Sequence, residues 1–295
     1  MKRLPRLLVT GASGFLGWHL CHQACDRYQV LGTYFTQSIS SPRFTTEPLD
    51  LTDTATLQTR LEKLRPDAVI HTAAQSKPNT CQQHPAESYR INVAASEQLA
   101  YFCAQAAISL VFTSTDLVFD GQHAPYSETD TPQPVNLYGA QKVEAEQRIL
   151  AAHPEAVVCR MPLMFGAATP TAQSFLQGCL STLQTGKTLS LFTDEFRTPV
   201  SATDAAAGLL LAVTHPGSGI WHLGGPERLS RYEFGQRLVE QWKLNPICLK
   251  ACRQADVPMA APRPADVALS SQKAFQMGYQ PQSIKGALRQ LAAKG

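Results

Sequence analysis

Short apolar runs alternate with helix-length segments through the first half of this chain. Residues 7–9 read as a buried strand, 14–25 as a helix and 29–34 as a second strand, and a short third strand leads into Leu49-Asp50-Leu51. Residues 52–63 read as a helix, with Leu57, Leu61 and Leu64 at its spacing. Pro66-Asp67 introduces a fourth strand at 68–71, and a long helix is predicted over 85–106. Residues 110–112 lie in a fifth strand, 138–152 form a helix, and 157–159 lie in a sixth strand. Short apolar strands separated by helices predict a parallel sheet covered on both faces. The expected fold is α/β, a Rossmann-type doubly wound sheet.

Beyond Met161 the pattern loosens. Prolines gather, and helices at 201–213, 230–242 and 284–293 stand among irregular segments. Ser230-Arg231-Tyr232-Glu233 has the spacing of a capping box. Residues 1–161 are therefore assigned to a dinucleotide-binding domain, and 162–295 mainly to a smaller substrate-binding lobe with some segments returning to the first. No low-complexity linker separates the halves, so they are expected to pack around one cleft.

Composition narrows the function classes. The 295 residues carry a net charge of +3 and no long basic run, which gives no reason to expect nucleic acid or an anionic membrane as partner. No apolar stretch approaches the length of a membrane span. The N-terminal apolar run is only a strand long and ends in glycines rather than a cleavage site, so no signal peptide is expected and a cytoplasmic location is. The eight cysteines form no Cys-x-x-Cys and no zinc-spaced cluster, so they read as reduced, mostly buried thiols, with no metal site expected.

The chemistry starts at the first strand's end. Thr10 is followed by Gly11, Ala12, Ser13, Gly14, Phe15, Leu16 and Gly17. In a strand–turn–helix, Gly11 permits the tight turn, Gly14 lets backbone approach a diphosphate, and Gly17 lets the helix pack on the sheet. The helix N-terminus then offers N–H groups to phosphates. An NAD-preferring fold usually places an acid at the end of the second strand. Here 27–46 contains none; Thr33, Tyr34, Thr36, Gln37 and Ser38 follow the strand, and Arg43 is the nearest cation. A 2′-phosphate would meet no repulsion, which favours NADP(H); the alternative is a polar loop that admits both cofactors.

A second constellation is Tyr138-Gly139-Ala140-Gln141-Lys142, whose first and last residues share a helix face. A nearby ammonium favours the phenolate and so is expected to lower the tyrosine's pKa, as suits a proton donor to a developing alkoxide. The same pair could instead be an ordinary helix surface pair. Ser114-Thr115-Asp116 ends the fifth strand, where ligands of open α/β sheets bind, and places the Thr115 hydroxyl toward a substrate carbonyl.

These segments resemble the extended short-chain dehydrogenase/reductases and, within them, the dTDP-4-dehydrorhamnose reductase family. The resemblance covers nearly the whole chain. It rests on residues 10–17, His71-Thr72-Ala73-Ala74, the helix from Pro85 through Asn92, residues 114–121, Asn136-Leu137-Tyr138-Gly139 with Lys142, Cys159-Arg160-Met161-Pro162, residues 197–204 and Arg263-Pro264. It implies Thr115, Tyr138 and Lys142 as the catalytic set, NADPH as hydride donor and a nucleotide sugar as substrate. It also implies that Asp50 and Leu51 hold the adenine edge and that Ala73 and Ala74 line the ribose and nicotinamide path. Asn92 either supports strands at the site or is a plain polar helix residue. Asp116 is a further substrate candidate. Arg160 and Arg197 either reach a diphosphate or form structural ion pairs. A homodimer is one assembly the resemblance allows.

Three positions depart from the family pattern: Phe15 stands where a Gln is usual, Leu117 replaces a tyrosine, and His19 stands where some members carry a magnesium-linked glutamate. Imidazole does not suit magnesium, so that metal is not expected. The leading reading is an NADPH-dependent reductase of a 4-keto nucleotide sugar. The alternatives are an epimerase or dehydratase of the same superfamily, with Asp116 as the acid, and an NADP-binding regulatory subunit similar to the methionine adenosyltransferase β-subunit.

Overall fold

In this computed structural model, which describes residues 3–215 and 217–293, the first half builds a parallel sheet strand by strand. Strand β1 (Arg6–Thr10) leads into helix α1 (Phe15–Ala24), followed by β2 (Gln29–Tyr34), β3 (Thr45–Pro48), α2 (Thr54–Leu64) and β4 (Ala68–His71). Asp53 caps α2, its carboxylate accepting from Thr56 N at 3.1 Å. Then come α3 (Pro78–Gln83), α4 (Pro85–Tyr89), a π-helical turn at Arg90–Ala94, α5 (Ala95–Gln105), β5 (Ser109–Thr115), α6 (Leu137–Ala152) and β6 (Val157–Met161).

The second half is shorter-stranded. It runs through β7 (Met164–Phe165), α7 (Phe175–Gln184), β8 (Leu189–Phe192), β9 (Phe196–Arg197) and β10 (Val200–Ser201). The chain continues with α8 (Ala202–Thr214), β11 (Gly219–His222), β12 (Leu229–Ser230) and α9 (Arg231–Trp242). It ends with β13 (Leu249–Cys252), α10 (Gln272–Gln276) and α11 (Ile284–Ala292). The capping box at Ser230 and Glu233 is formed in both directions.

The main sheet has seven strands in the order β11-β6-β5-β4-β1-β2-β3, with every pairing parallel. The fold is thus a doubly wound Rossmann-type α/β sheet. Strand order reverses direction between β1 and β4, and a crevice opens beyond their carboxyl ends at such a switch point. One core face carries Leu7, Val9, Leu20 and Ile70 with α8 residues such as Leu209; the other carries Leu8, Leu57, Val69, Leu99 and Phe112. A third apolar cluster, around Phe165, Leu183, Phe234 and Leu288, is the core of the second half.

Two expectations about elements change. The helix predicted over 85–106 is present from 85 to 105 but carries a π turn at 90–94, where Asn92 turns inward to serve the chain after β4. Strand β11 was not anticipated: it pairs with β6 and carries the fully buried Trp221, returning second-half sequence to the main sheet. Among the described residues no helix is long and apolar enough to cross a membrane. All eight cysteines are free thiols, five of them buried.

Candidate active site

The switch point holds a cavity of about 780 Å³, within the usual range for ligand sites. Its floor is the glycine turn. Gly11 has φ +71°, and a Cβ there would come within 2.8 Å of Ala73 backbone. A Cβ at Gly17 would collide with the Gly11 carbonyl oxygen, so only glycine lets α1 start this close to β1. Gly14 is exposed toward the cavity, where a Cβ would meet nothing but the Gly11 carbonyl oxygen at 3.1 Å. Backbone therefore forms a cradle that side chains would fill, and this fits the diphosphate of a dinucleotide.

Gly11, Ser13, Gly14, Phe15, Leu16, Gly17, Asp50, Leu51, Ala73, Ala74, Tyr138 and Lys142 all line this one cavity. Arg43 does not. It is drawn away to Asp26 in an exposed ion pair of 2.5 Å, so it is not placed to receive a 2′-phosphate. The end of the cavity beyond β2 is walled by the stretch from Thr33 to Gln37, including Phe35, which is 66 % exposed. The sequence reading passed over Phe35, Gln75, Arg90 and Thr171, which also line the cavity; an apolar residue left in water at the end of β2 was the available signal for Phe35.

Tyr138 and Lys142 sit one turn apart near the start of α6, where Asn136 caps the helix by accepting from Gly139 N at 2.9 Å. Both are buried, Lys142 to 1 % exposure, which excludes a solvated surface pair. The Lys142 ammonium lies 3.9 Å over the Phe112 ring. Burial pushes its pKa down to about 7, against the pull of Glu146 and Cys81. Burial likewise pushes the Tyr138 phenol up, reinforced by Cys81 and Asp116 and opposed by the Thr115 hydroxyl and Arg197. The expected lowering of the tyrosine's pKa by its lysine is therefore not found: burial dominates, Lys142 is not among the groups that shift the phenol, and the phenol is held as a protonated donor.

Thr115 is not part of the cavity wall. Its hydroxyl is near the phenol, donates to Asp116 Oδ1 at 3.2 Å and accepts from Leu117 N at 3.2 Å. Asp116 opens a buried chain of charge: its Oδ1 accepts from Arg197 Nη1 at 2.6 Å, Arg197 Nη2 donates to Glu195 Oε1 at 3.1 Å, and Arg231 Nε donates to the same oxygen at 2.9 Å. Burial would raise the Glu195 carboxyl, but Arg197 and Arg231 hold it below its ordinary range. Asp116 Oδ2 and Arg197 Nε are buried without a partner. Arg197 is thus both an ion-pair residue and one that keeps an unused donor.

Arg160 is purely structural. It makes a fork of bonds to Glu146 with closest approach 2.7 Å, and Glu146 also accepts from Ser114; both members of the ion pair are buried. It therefore does not reach a diphosphate at this cavity. Asn92 does serve the site: its Oδ1 accepts from Gln75 N at 2.9 Å, and its Nδ2 donates to Gln75 O at 3.2 Å and Gln141 Oε1 at 2.9 Å. His71, at the end of β4, lies 2.6 Å from the Thr10 hydroxyl and 3.0 Å from that of Ser96; burial takes its pKa down to about 3. Among the described residues no group of three or more His, Cys, Asp and Glu side chains could hold a metal ion.

A glycine turn at the switch point with a buried Tyr/Lys pair on the same cavity defines an extended short-chain dehydrogenase/reductase. Residues 5–295 match the family described as RmlD substrate binding domain, and the chain belongs to that family. It is 31 % identical over 281 residues to methionine adenosyltransferase 2 subunit beta of Xenopus laevis, covering 92 % of this chain and 82 % of that one. It is 30 % identical over 262 residues to the probable low-salt glycan biosynthesis reductase Agl14 of Haloferax volcanii, covering 87 % of this chain and 86 % of that one. The solved dTDP-4-dehydrorhamnose reductase of Bacillus anthracis, in complex with NADP, superimposes with a TM-score of 0.85 at 22 % identity, over 99 % of this chain and 100 % of that one; this is a likeness of fold.

Proposed function

We propose that this chain is an NADPH-dependent reductase of a 4-keto nucleotide sugar. The observation that carries the reading is the burial of Tyr138 and Lys142 on the wall of the cavity floored by the glycine turn. When bound, NADPH supplies the hydride that reduces the carbonyl carbon to the alcohol. Tyr138 gives its phenolic proton to the carbonyl oxygen as negative charge develops there, and afterwards regains a proton. Lys142 stabilises the transient phenolate and bonds the nicotinamide ribose. Thr115, beside the phenol, would position the carbonyl oxygen by turning its hydroxyl from Asp116 toward it, and Asp50 and Leu51 would hold the adenine edge. The unused Arg197 Nε and Asp116 Oδ2 supply a donor and an acceptor for the sugar nucleotide. Residues 1–161 supply most of the cofactor half and 162–295 mainly the substrate half, with α8 and β11 returning to the first.

The test is NADPH oxidation against a panel of 4-keto nucleotide sugars, with turnover of at least one expected. A dehydratase reading is disfavoured by Leu117, which occupies the place beside Asp116 where a second acid is usual. A regulatory reading is favoured by the similarity to the methionine adenosyltransferase subunit. It would be supported by tight NADPH binding, no turnover on any panel member and association with a methionine adenosyltransferase catalytic subunit.

A further inference from the structure

A segment of the second half borders the cavity beside the glycine turn. Residues 166–172 leave β7 at Gly166 and fold into a turn in which Thr169 N donates to Ala172 O at 2.8 Å and Ala172 N donates to Thr169 Oγ1 at 2.9 Å. Two bonds tie this turn across the cleft. The Thr171 hydroxyl donates to the Ser13 carbonyl oxygen at 2.6 Å, a residue 158 positions away on the glycine turn. His19, on α1, places Nε2 3.0 Å from the Ala167 carbonyl oxygen, and since a carbonyl only accepts, Nε2 carries the proton. The Phe15 ring lies against the segment's origin, where a Cβ at Gly166 would meet it at 3.2 Å. Thr171 and Ala172 line the same cavity as the glycine turn.

We propose that residues 166–172 form a strap across the diphosphate end of the cofactor cleft, that Thr171 and His19 are its two fasteners, and that cofactor enters and leaves by unfastening it. The proposal rests on reading the cleft as a dinucleotide site. The geometry is specific to that end: Ser13 belongs to the turn that cradles the diphosphate, so a side chain bonded to its carbonyl sits at the cradle's rim. The strap is held there by few groups, and segments held by a few hydrogen bonds open locally at far lower free energy than the core. His19 matters here because an imidazole N–H can donate to Ala167, as a carboxylate at the same position could not. Thr171 and His19 are positioning residues; neither touches the reacting atoms.

Stopped-flow binding of NADPH separates a strap from a simple contact. Thr171→Val keeps the side chain's shape and removes only the donor. Losing one such bond shifts the opening equilibrium by roughly five- to tenfold. Association and dissociation rates are expected to rise together by that factor, leaving Kd within about threefold. His19→Leu is expected to do the same independently, and Thr171→Ser to restore wild-type rates. Unchanged rates in both variants, or a rise in the dissociation rate alone, would overturn the strap while leaving the cofactor site standing. Failure of the wild-type protein to bind NADPH or NADH would overturn the cofactor reading and the strap with it.

Discussion

The two ends of the cleft are built from different materials. The cofactor end is made of backbone: glycines that admit no Cβ at Gly11 and Gly17, and an open cradle at Gly14. Behind the cavity wall, at the end we propose for the substrate, lies buried charge: Asp116, Arg197, Glu195 and Arg231, linked over distances of 2.6 to 3.1 Å. Backbone geometry of this kind serves any dinucleotide and is insensitive to what surrounds it. A buried charge network is held by the fold around it, and an unmatched partner there is costly. Tyr138 and Lys142 stand where the two meet.

Gly14→Val is expected to have the largest effect. A branched side chain would occupy the cradle, so NADPH binding should be lost in calorimetric titration while thermal stability changes little. Retained tight binding would break the claim that backbone makes this end. Arg197→Met attacks the other end. It leaves Asp116 buried without its cation, and breaking a buried pair costs about 3–5 kcal/mol. Chemical denaturation should show a loss of that order, with NADPH affinity kept in the folded fraction. A change within about 0.5 kcal/mol would mean the network contributes little to holding the lobe in place.

Lys142 can be tested through its charge. Its pKa in the free protein is lowered to about 7, so it is an ammonium below that pH and neutral above it. If the ammonium is what meets the ribose, NADPH affinity must weaken as pH rises through about 7, by up to about tenfold per pH unit. The same titration on Lys142→Met should show no such break. A pH-independent affinity in the wild type would remove Lys142 from the cofactor contacts. The smallest effect is expected at Arg43. Because it is committed to Asp26 at the surface, Arg43→Ala should change the NADPH-to-NADH affinity ratio by no more than about twofold, as suits an exposed pair. A larger loss for NADPH alone would return Arg43 to the 2′-phosphate.

The same division explains what could be read from the chain. Gly11, Gly14 and Gly17 lie close together and follow an apolar strand, so the turn that floors the cavity was legible locally. Tyr138 and Lys142 are one helical turn apart and were legible for the same reason. The Arg197–Asp116 pair spans 81 residues, and only the tertiary fold brings it together. Arg160 illustrates the converse: the sequence leaves open a ligand contact or a structural ion pair, and Glu146, 14 residues earlier on α6, decides for the ion pair inside the core. The tyrosine's pKa was misjudged because spacing reveals the ammonium and hides the desolvation. The 166–172 turn joins α1 only through contacts across the cleft, which no periodicity records.

The central claim is that Tyr138 protonates a carbonyl reduced by NADPH. It is tested most directly by single-turnover NADPH oxidation with a 4-keto nucleotide sugar, comparing the wild type with Tyr138→Phe after NADPH affinity has been measured for both. The account predicts turnover in the wild type, and in the variant a loss of at least about a hundredfold with NADPH affinity nearly unchanged. Turnover that survives the substitution would contradict the assignment of the acid, and a wild type that binds NADPH but reduces no member of the panel would contradict the enzyme reading itself.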